Sequence, residues 1–158
     1  MGMDVFGKKP SAEVGEYFRN NAWWWRPLAG FVCERYPAIA SACTYWGSND
    51  GDGLDAAGAV ALADALEADL ASGYVQSWAD QYEATLAALP MEPCTLCGGT
   101  GARTDEVGQS HGLDKPGGCN GCGGRGECEP WARAYPFSVE NVAEFAAFCR
   151  ASGGFEIW

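Results

Sequence analysis

Apolar positions follow helical spacing over most of the chain and lose it in one stretch. Ser11 is placed to cap a first helix running to about Asn20, with Val14, Tyr17 and Phe18 on one stripe. Pro27 suits the first turn of a second helix, in which Leu28, Phe31, Val32 and Tyr36 keep the spacing until Pro37 stops it. The clearest pattern follows SNDGDGLD, where Leu54, Gly58, Leu62, Leu66 and Leu70 recur every four residues. Asp52 is positioned to cap that helix, Asp55 follows in capping-box position, and Ser72-Gly73 ends it; Asp64 and Glu67 lie off the stripe, facing water. Ser77 opens another helix carrying Trp78, Tyr82, Leu86 and Leu89, closed by Pro90. Ser138 caps the last, with Phe137 stapled to Val142 and a buried stripe of Val142, Phe145 and Cys149; Gly153 ends it and FEIW supplies a short strand. The expected fold is mainly α with minor β, a single helical domain. Residues 1–90 and 131–158 form its body, and 91–130 an irregular loop inserted before the last helix.

In that insertion hydrophobic periodicity fails and glycine takes over, so without a cross-link the segment lacks the means to hold a shape. It also carries one phrase twice: CTLCGGTG at 94–101 and CNGCGGRG at 119–126. A tetrahedral metal ion needs four soft ligands, and each Cys-x-x-Cys turn offers two thiolates from one tight loop. Cys94, Cys97, Cys119 and Cys122 therefore predict a site for one structural Zn²⁺, in a spacing used by zinc modules. The glycines after each pair allow positive-φ turns that bring backbone amides to the sulfurs. Cys128 or His111 in place of one ligand is the minor variant. Cys33, Cys43 and Cys149 stand among apolar neighbours and are expected to pack as small hydrophobes.

Trp23, Trp24 and Trp25 cannot all face one way, since helical neighbours diverge by about 100°. With Arg19 and Arg26 beside them they offer stacking faces and cationic donors, which suits a nucleotide, a base or a peptide. A tryptophan-rich core seam explains them equally well, and the sequence leaves both open.

The net charge of −11 is unevenly placed: no Lys or Arg lies between Arg35 and Arg103, a stretch holding nine carboxylates. That field argues against binding duplex nucleic acid and is compatible with a basic protein partner. No apolar run approaches the ~18 residues of a membrane span, and MGMDVFGKKP has neither the apolar centre of a signal peptide nor a myristoylation pattern. A cytoplasmic location is expected, where eight cysteines need an explanation other than disulfides.

Both phrases fit Cys-x-x-Cys-x-Gly-x-Gly and so resemble the cysteine-rich zinc module of DnaJ-type chaperones. That family carries four such repeats, two zinc ions and a J domain with a His-Pro-Asp motif. This chain has two repeats, and its sole histidine, His111, precedes Gly112. The resemblance implies a site for one zinc ion and does not imply co-chaperone activity. GEYFRNNAWWWRPL, NDGDGLD and SVENVAEFAAFCRASGGFEIW are similar to phrases of small bacterial and phage proteins, which implies a phage-borne inhibitor of a host defence as one role.

Enzyme chemistry finds little footing. Pro93-Cys94-x-x-Cys97 resembles half of a zinc nucleobase deaminase signature, but no His-x-Glu or Cys-x-Glu precedes it. A fourth thiolate would also close the shell against water. SNDGDGLD has calcium-loop acids, yet Ala59 stands where a bidentate Glu belongs, and helix capping accounts for Asp52 better. The reading that follows is a non-catalytic, zinc-stabilised interaction protein that meets its partner with the loop and the acidic helices, Asp64 and Glu67 included. The alternative is a nucleotide-binding protein using Trp23 to Trp25 and Arg26.

Overall fold

Asn21 ends a strand and starts a helix: in extended conformation, its side chain accepts the N–H groups of Trp23 and Trp24, at 3.0 and 3.1 Å. That junction organises the start of the chain in the computed structural model, which describes residues 2–158. The expected helix from Ser11 is absent. Strand β1 (Gly2–Gly7) instead turns back through a 3-10 turn at Glu13–Gly15 into β2 (Tyr17–Asn21), antiparallel, with Val5 opposite Phe18. Met3 and Val5 alternate inward in β1, as do Phe18 and Asn20 in β2, which is strand periodicity. Asn20 is tolerated inside because its amide donates to Asn141 Oδ1 at 2.6 Å.

Helix α1 (Ala22–Arg35) thus begins earlier than expected, and Pro27 lies within it rather than at its start. Pro37 opens the short α2 (Pro37–Ala40), and β3 (Asp52–Leu54) leads into α3 (Ala56–Ala71). The cap of α3 is Asp55, whose carboxylate accepts from Gly58 N at 2.7 Å. Asp52 sits in β3 and accepts from the N–H groups of Thr44, Tyr45 and Gly53, so it pins the loop before the helix. Helix α4 (Tyr74–Ala88) starts directly after Gly73, before Ser77. The chain closes with α6 (Val139–Ser152), capped by Ser138 and ended by Gly153, and β6 (Phe155–Ile157).

The sheet runs β2-β1-β6-β3 with every pair antiparallel, so the last strand lies between the first and the third. Among the described residues six helices and this small sheet make the fold mixed α/β, which the expectation of a mainly α fold with minor β fits only roughly. Leu54, Phe155 and Ile157 from the sheet share one core with Leu28 and Phe31 of α1, Leu62 and Leu66 of α3, and Phe145 and Phe148 of α6. Each such side chain contributes roughly 1.5–3 kcal/mol by leaving water. Phe145 is its hub, with rings of Phe18, Trp25 and Phe155 at 5.2, 5.6 and 5.8 Å.

Contacts divide the chain into one unit of Met1–Ala84 with Tyr135–Trp158, and a second of Thr85–Ala134. The second holds a two-stranded ladder, β4 (Glu92–Pro93) with β5 (Glu127–Cys128), and the short α5 (Glu106–Ser110). Its apolar cluster is made of cysteines alone. Arg133 donates to the carbonyls of Leu86, Ala87 and Leu89, satisfying the end of α4 inside this unit. No helix among the described residues is long and apolar enough to cross a membrane.

Candidate metal centre

The two Cys-x-x-Cys turns face one another. Sγ atoms of Cys94, Cys97, Cys119 and Cys122 all lie within 4.8 Å of each other, and all four residues are buried. Cys94 and Cys119 sulfurs are 3.8 Å apart, as are those of Cys97 and Cys122. A disulfide would need ~2.05 Å, so these are separate thiols. Four sulfurs held ~2.3 Å from a common centre form a tetrahedron with edges of ~3.8 Å, the separation these pairs adopt. Ligand chemistry and spacing both fit a tetrahedral divalent ion of the zinc class.

The repeated phrase becomes a local two-fold relation. Cys94 N–H donates to Gly126 O at 2.8 Å, and Cys119 N–H donates to Gly101 O at 2.9 Å, so each turn is closed by the other. Gly101 N–H donates to Cys97 Sγ at 3.3 Å, and Gly126 N–H to Cys122 Sγ at 3.2 Å. Both glycines have positive φ, +74° and +82°, and no side chain would fit, because the opposite turn's carbonyl lies 2.5 and 2.4 Å from where a Cβ would be.

These contacts set the thiol chemistry. Burial pushes Cys97 up, but the N–H groups of Gly101 and Gly99 and the Cys94 and Cys119 side chains outweigh it, leaving a value of about 6. Cys119 is pushed up to about 11, with burial the largest cause. Cys97 is thus biased toward the thiolate that a metal requires, while burial holds the proton on Cys119.

Neither minor variant enters the cluster. His111 is exposed and closes α5, and Cys128 packs beside the four sulfurs with its thiol 3.7 Å from Gly121 O. Cys43 and Cys149 are buried in the main core and Cys33 packs against it. Burial pushes Cys43 up to about 12 and Cys149 well above the usual thiol range, so both are inert.

The tryptophan run separates into three environments. Trp25 is 1% exposed and donates from Nε1 to Trp46 O at 2.6 Å, a core residue. Trp23 lies 5.0 Å from the Tyr135 ring, and Arg26 donates to Tyr135 O–H at 2.8 Å. Trp24 lines two surface clefts. Arg19 is exposed on β2 and pairs with Asp4 at 3.8 Å. The three indoles thus form no single cleft. Asp64 and Glu67 are together on α3, where Arg150 pairs with them at 2.5 and 2.7 Å. Tyr135 and Arg150, which organise these groups, carry no local sequence signal, because the partners named here lie tens of residues away.

No family model, curated protein or solved structure matches the chain. The likeness to the DnaJ-type module thus rests on the two cysteine phrases alone.

Proposed function

We propose that the protein is a non-catalytic interaction protein whose second unit is held in shape by one structural Zn²⁺. The observation that carries this is the buried quartet of sulfurs, all within 4.8 Å of one another and with two pairs at 3.8 Å. Cys94, Cys97, Cys119 and Cys122 would hold the ion, and the ion would supply the cross-link that a glycine-rich segment without an apolar core lacks. Four protein ligands leave no position for a reacting water, so the site supports binding rather than turnover. Leu96, between two ligands, is 46% exposed and Val107 of α5 is 49% exposed, so this unit presents apolar side chains for contact with a protein.

The nucleotide alternative has less support: one cleft beside Trp24 is lined by Asp80, Glu83 and Glu140, which oppose phosphate, and in the other Arg19 is outnumbered by Glu140 and Glu144. The similarity to phage and bacterial phrases makes a host defence protein one candidate partner, testable by plating phage on hosts that express the chain.

Elemental analysis of purified protein should find one zinc per chain. In-cell crosslinking should then yield a partner joined to residues 85–134 in the wild type and lost in Cys97→Ser, whose first unit stays folded by circular dichroism. Absence of bound metal, or a partner held equally by the variant, overturns the reading.

A further inference from the structure

Trp24 stands between two clefts of the first unit. One, of about 330 Å³, is formed by α4 and the start of α6, with Trp24, Ala79 and Phe137 as apolar lining and Asp80, Glu83 and Glu140 as charged lining. The other, of about 270 Å³, shares Trp24, Ser138 and Glu140 and adds Glu144 together with Arg19, so the first is the more uniformly anionic. The first lies within the ~300–1,000 Å³ typical of sites that take a small group.

Five carboxylates of the same unit are neutralised by ion pairs: Asp4 with Arg19, Asp69 with Arg35, Asp64 and Glu67 with Arg150, and Glu156 with Lys8. Among the described residues no Lys or Arg pairs with Asp80, Glu83 or Glu140. Two of them are instead fixed by neutral donors: Gln76 Nε2 to Asp80 at 2.8 Å, and Ser138 Oγ to Glu140 at 2.8 Å. Such donors orient a carboxylate and leave its charge in place. The cleft is therefore a preset anionic pocket with an aromatic wall, and its complement is a cation on an apolar stem. Lysine and arginine side chains have that form, and an indole adds attraction for the head group.

We propose that this cleft docks a lysine or arginine side chain of a partner protein, the cationic head among Asp80, Glu83 and Glu140 and the stem along Trp24 and Phe137. The proposal rests on the reading of the chain as an interaction protein. It names a second contact, in the first unit, with a basic segment.

A fluorescein-labelled peptide of alternating glycine and lysine, titrated with the zinc-loaded full chain at low salt, tests it. Saturable binding is expected, with a shift of the Trp24 indole N–H resonance. Asp80→Asn with Glu83→Gln, both exposed on α4, should weaken binding about tenfold, since screened charge pairs act at this scale. Glu13→Gln with Glu16→Gln makes the same charge change outside the cleft and should weaken it by less than about threefold. Circular dichroism checks that both double variants stay folded. Equal losses in the two, or an unmoved Trp24 resonance, would show general acidity and overturn the proposal. So would spermidine binding as tightly as the peptide, which assigns the cleft to free polyamines. No peptide binding in a chain that still carries zinc and its zinc-dependent partner overturns this cleft alone. Loss of that zinc dependence overturns the earlier reading and leaves the peptide result standing.

Discussion

Alanine placed at the left-handed glycines of the two cysteine phrases should sort them into a mild pair and a severe pair. Gly98 and Gly123 both have φ of +58° and nothing within 4 Å of an added Cβ, so alanine there meets only the left-handed penalty of roughly 1–2 kcal/mol. Gly101 and Gly126 are also left-handed, but a Cβ would fall 2.5 Å from Gly124 O and 2.4 Å from Gly99 O. Relieving that clash displaces backbone, which costs about 1–3 kcal/mol, and pulls the same residues' N–H groups from Cys97 and Cys122, about 1 kcal/mol more. The severe pair therefore loses roughly 3–6 kcal/mol. In the zinc-held unit proposed above, folding is coupled to metal uptake, so the loss would read out as zinc affinity: about 5- to 30-fold for Gly98→Ala and Gly123→Ala, and more than about 100-fold for Gly101→Ala and Gly126→Ala. Competition with a chromophoric zinc chelator at fixed pH measures all four, with circular dichroism as a check on the helices. Two results would refute the reasoning: Gly123→Ala as damaging as Gly126→Ala, or Gly101→Ala and Gly126→Ala differing by more than about tenfold despite their matching surroundings.

Chelating the metal should speed proteolysis within residues 91–130 while the helical circular dichroism signal persists; equal cutting rates with and without chelator count against a metal-held unit. Trp25→Phe removes the 2.6 Å bond to Trp46 O and empties core volume, an expected loss of about 2–4 kcal/mol and ~5–15 °C in Tm by calorimetry. Trp24→Phe, at a partly exposed position, should shift Tm by far less. Asp69 has its carboxyl held below the usual range, chiefly by Arg35 Nε at 2.7 Å and also by the Tyr36 hydroxyl. A depressed folded value contributes stability fully present above the unfolded pKa, near 4, and lost as pH falls through the folded one. The stability gap between wild type and Asp69→Asn, from urea melts, should therefore be constant near neutrality and shrink below about pH 4; a gap that persists at pH 2 contradicts it.

The cysteine cluster was legible because it is specified by local spacing: two residues between cysteines fix each turn, and a repeat of the same phrase supplies the other half. Helices α3 and α6 were legible for a similar reason, since Leu62 and Leu66, or Phe145 and Cys149, stand at spacings that only one period explains. The N-terminal hairpin was hidden by a coincidence. Val14, Tyr17 and Phe18 fall at helical intervals, while the strand face of β2 is completed by Asn20, a polar residue whose burial depends on Asn141, far along the chain. Strand β1 shows the alternation of Met3 and Val5 but is short, and its partner β6 is the last element of the sequence. Asp52 read as the cap with Asp55 as its capping-box partner, whereas Asp55 is the cap. Loop residues Thr44 and Tyr45, which engage Asp52, decided between them. The fates of Trp23, Trp24 and Trp25 depended on Tyr135 and Trp46, which no local pattern announces.

In the β4–β5 ladder, Glu92 faces Cys128 and Pro93 faces Glu127, so the polypeptide departs and returns through adjoining backbone positions about 5 Å apart. A segment whose two ends meet in this way can tolerate changes in its length or content while the entry and exit points of the flanking chain stay put.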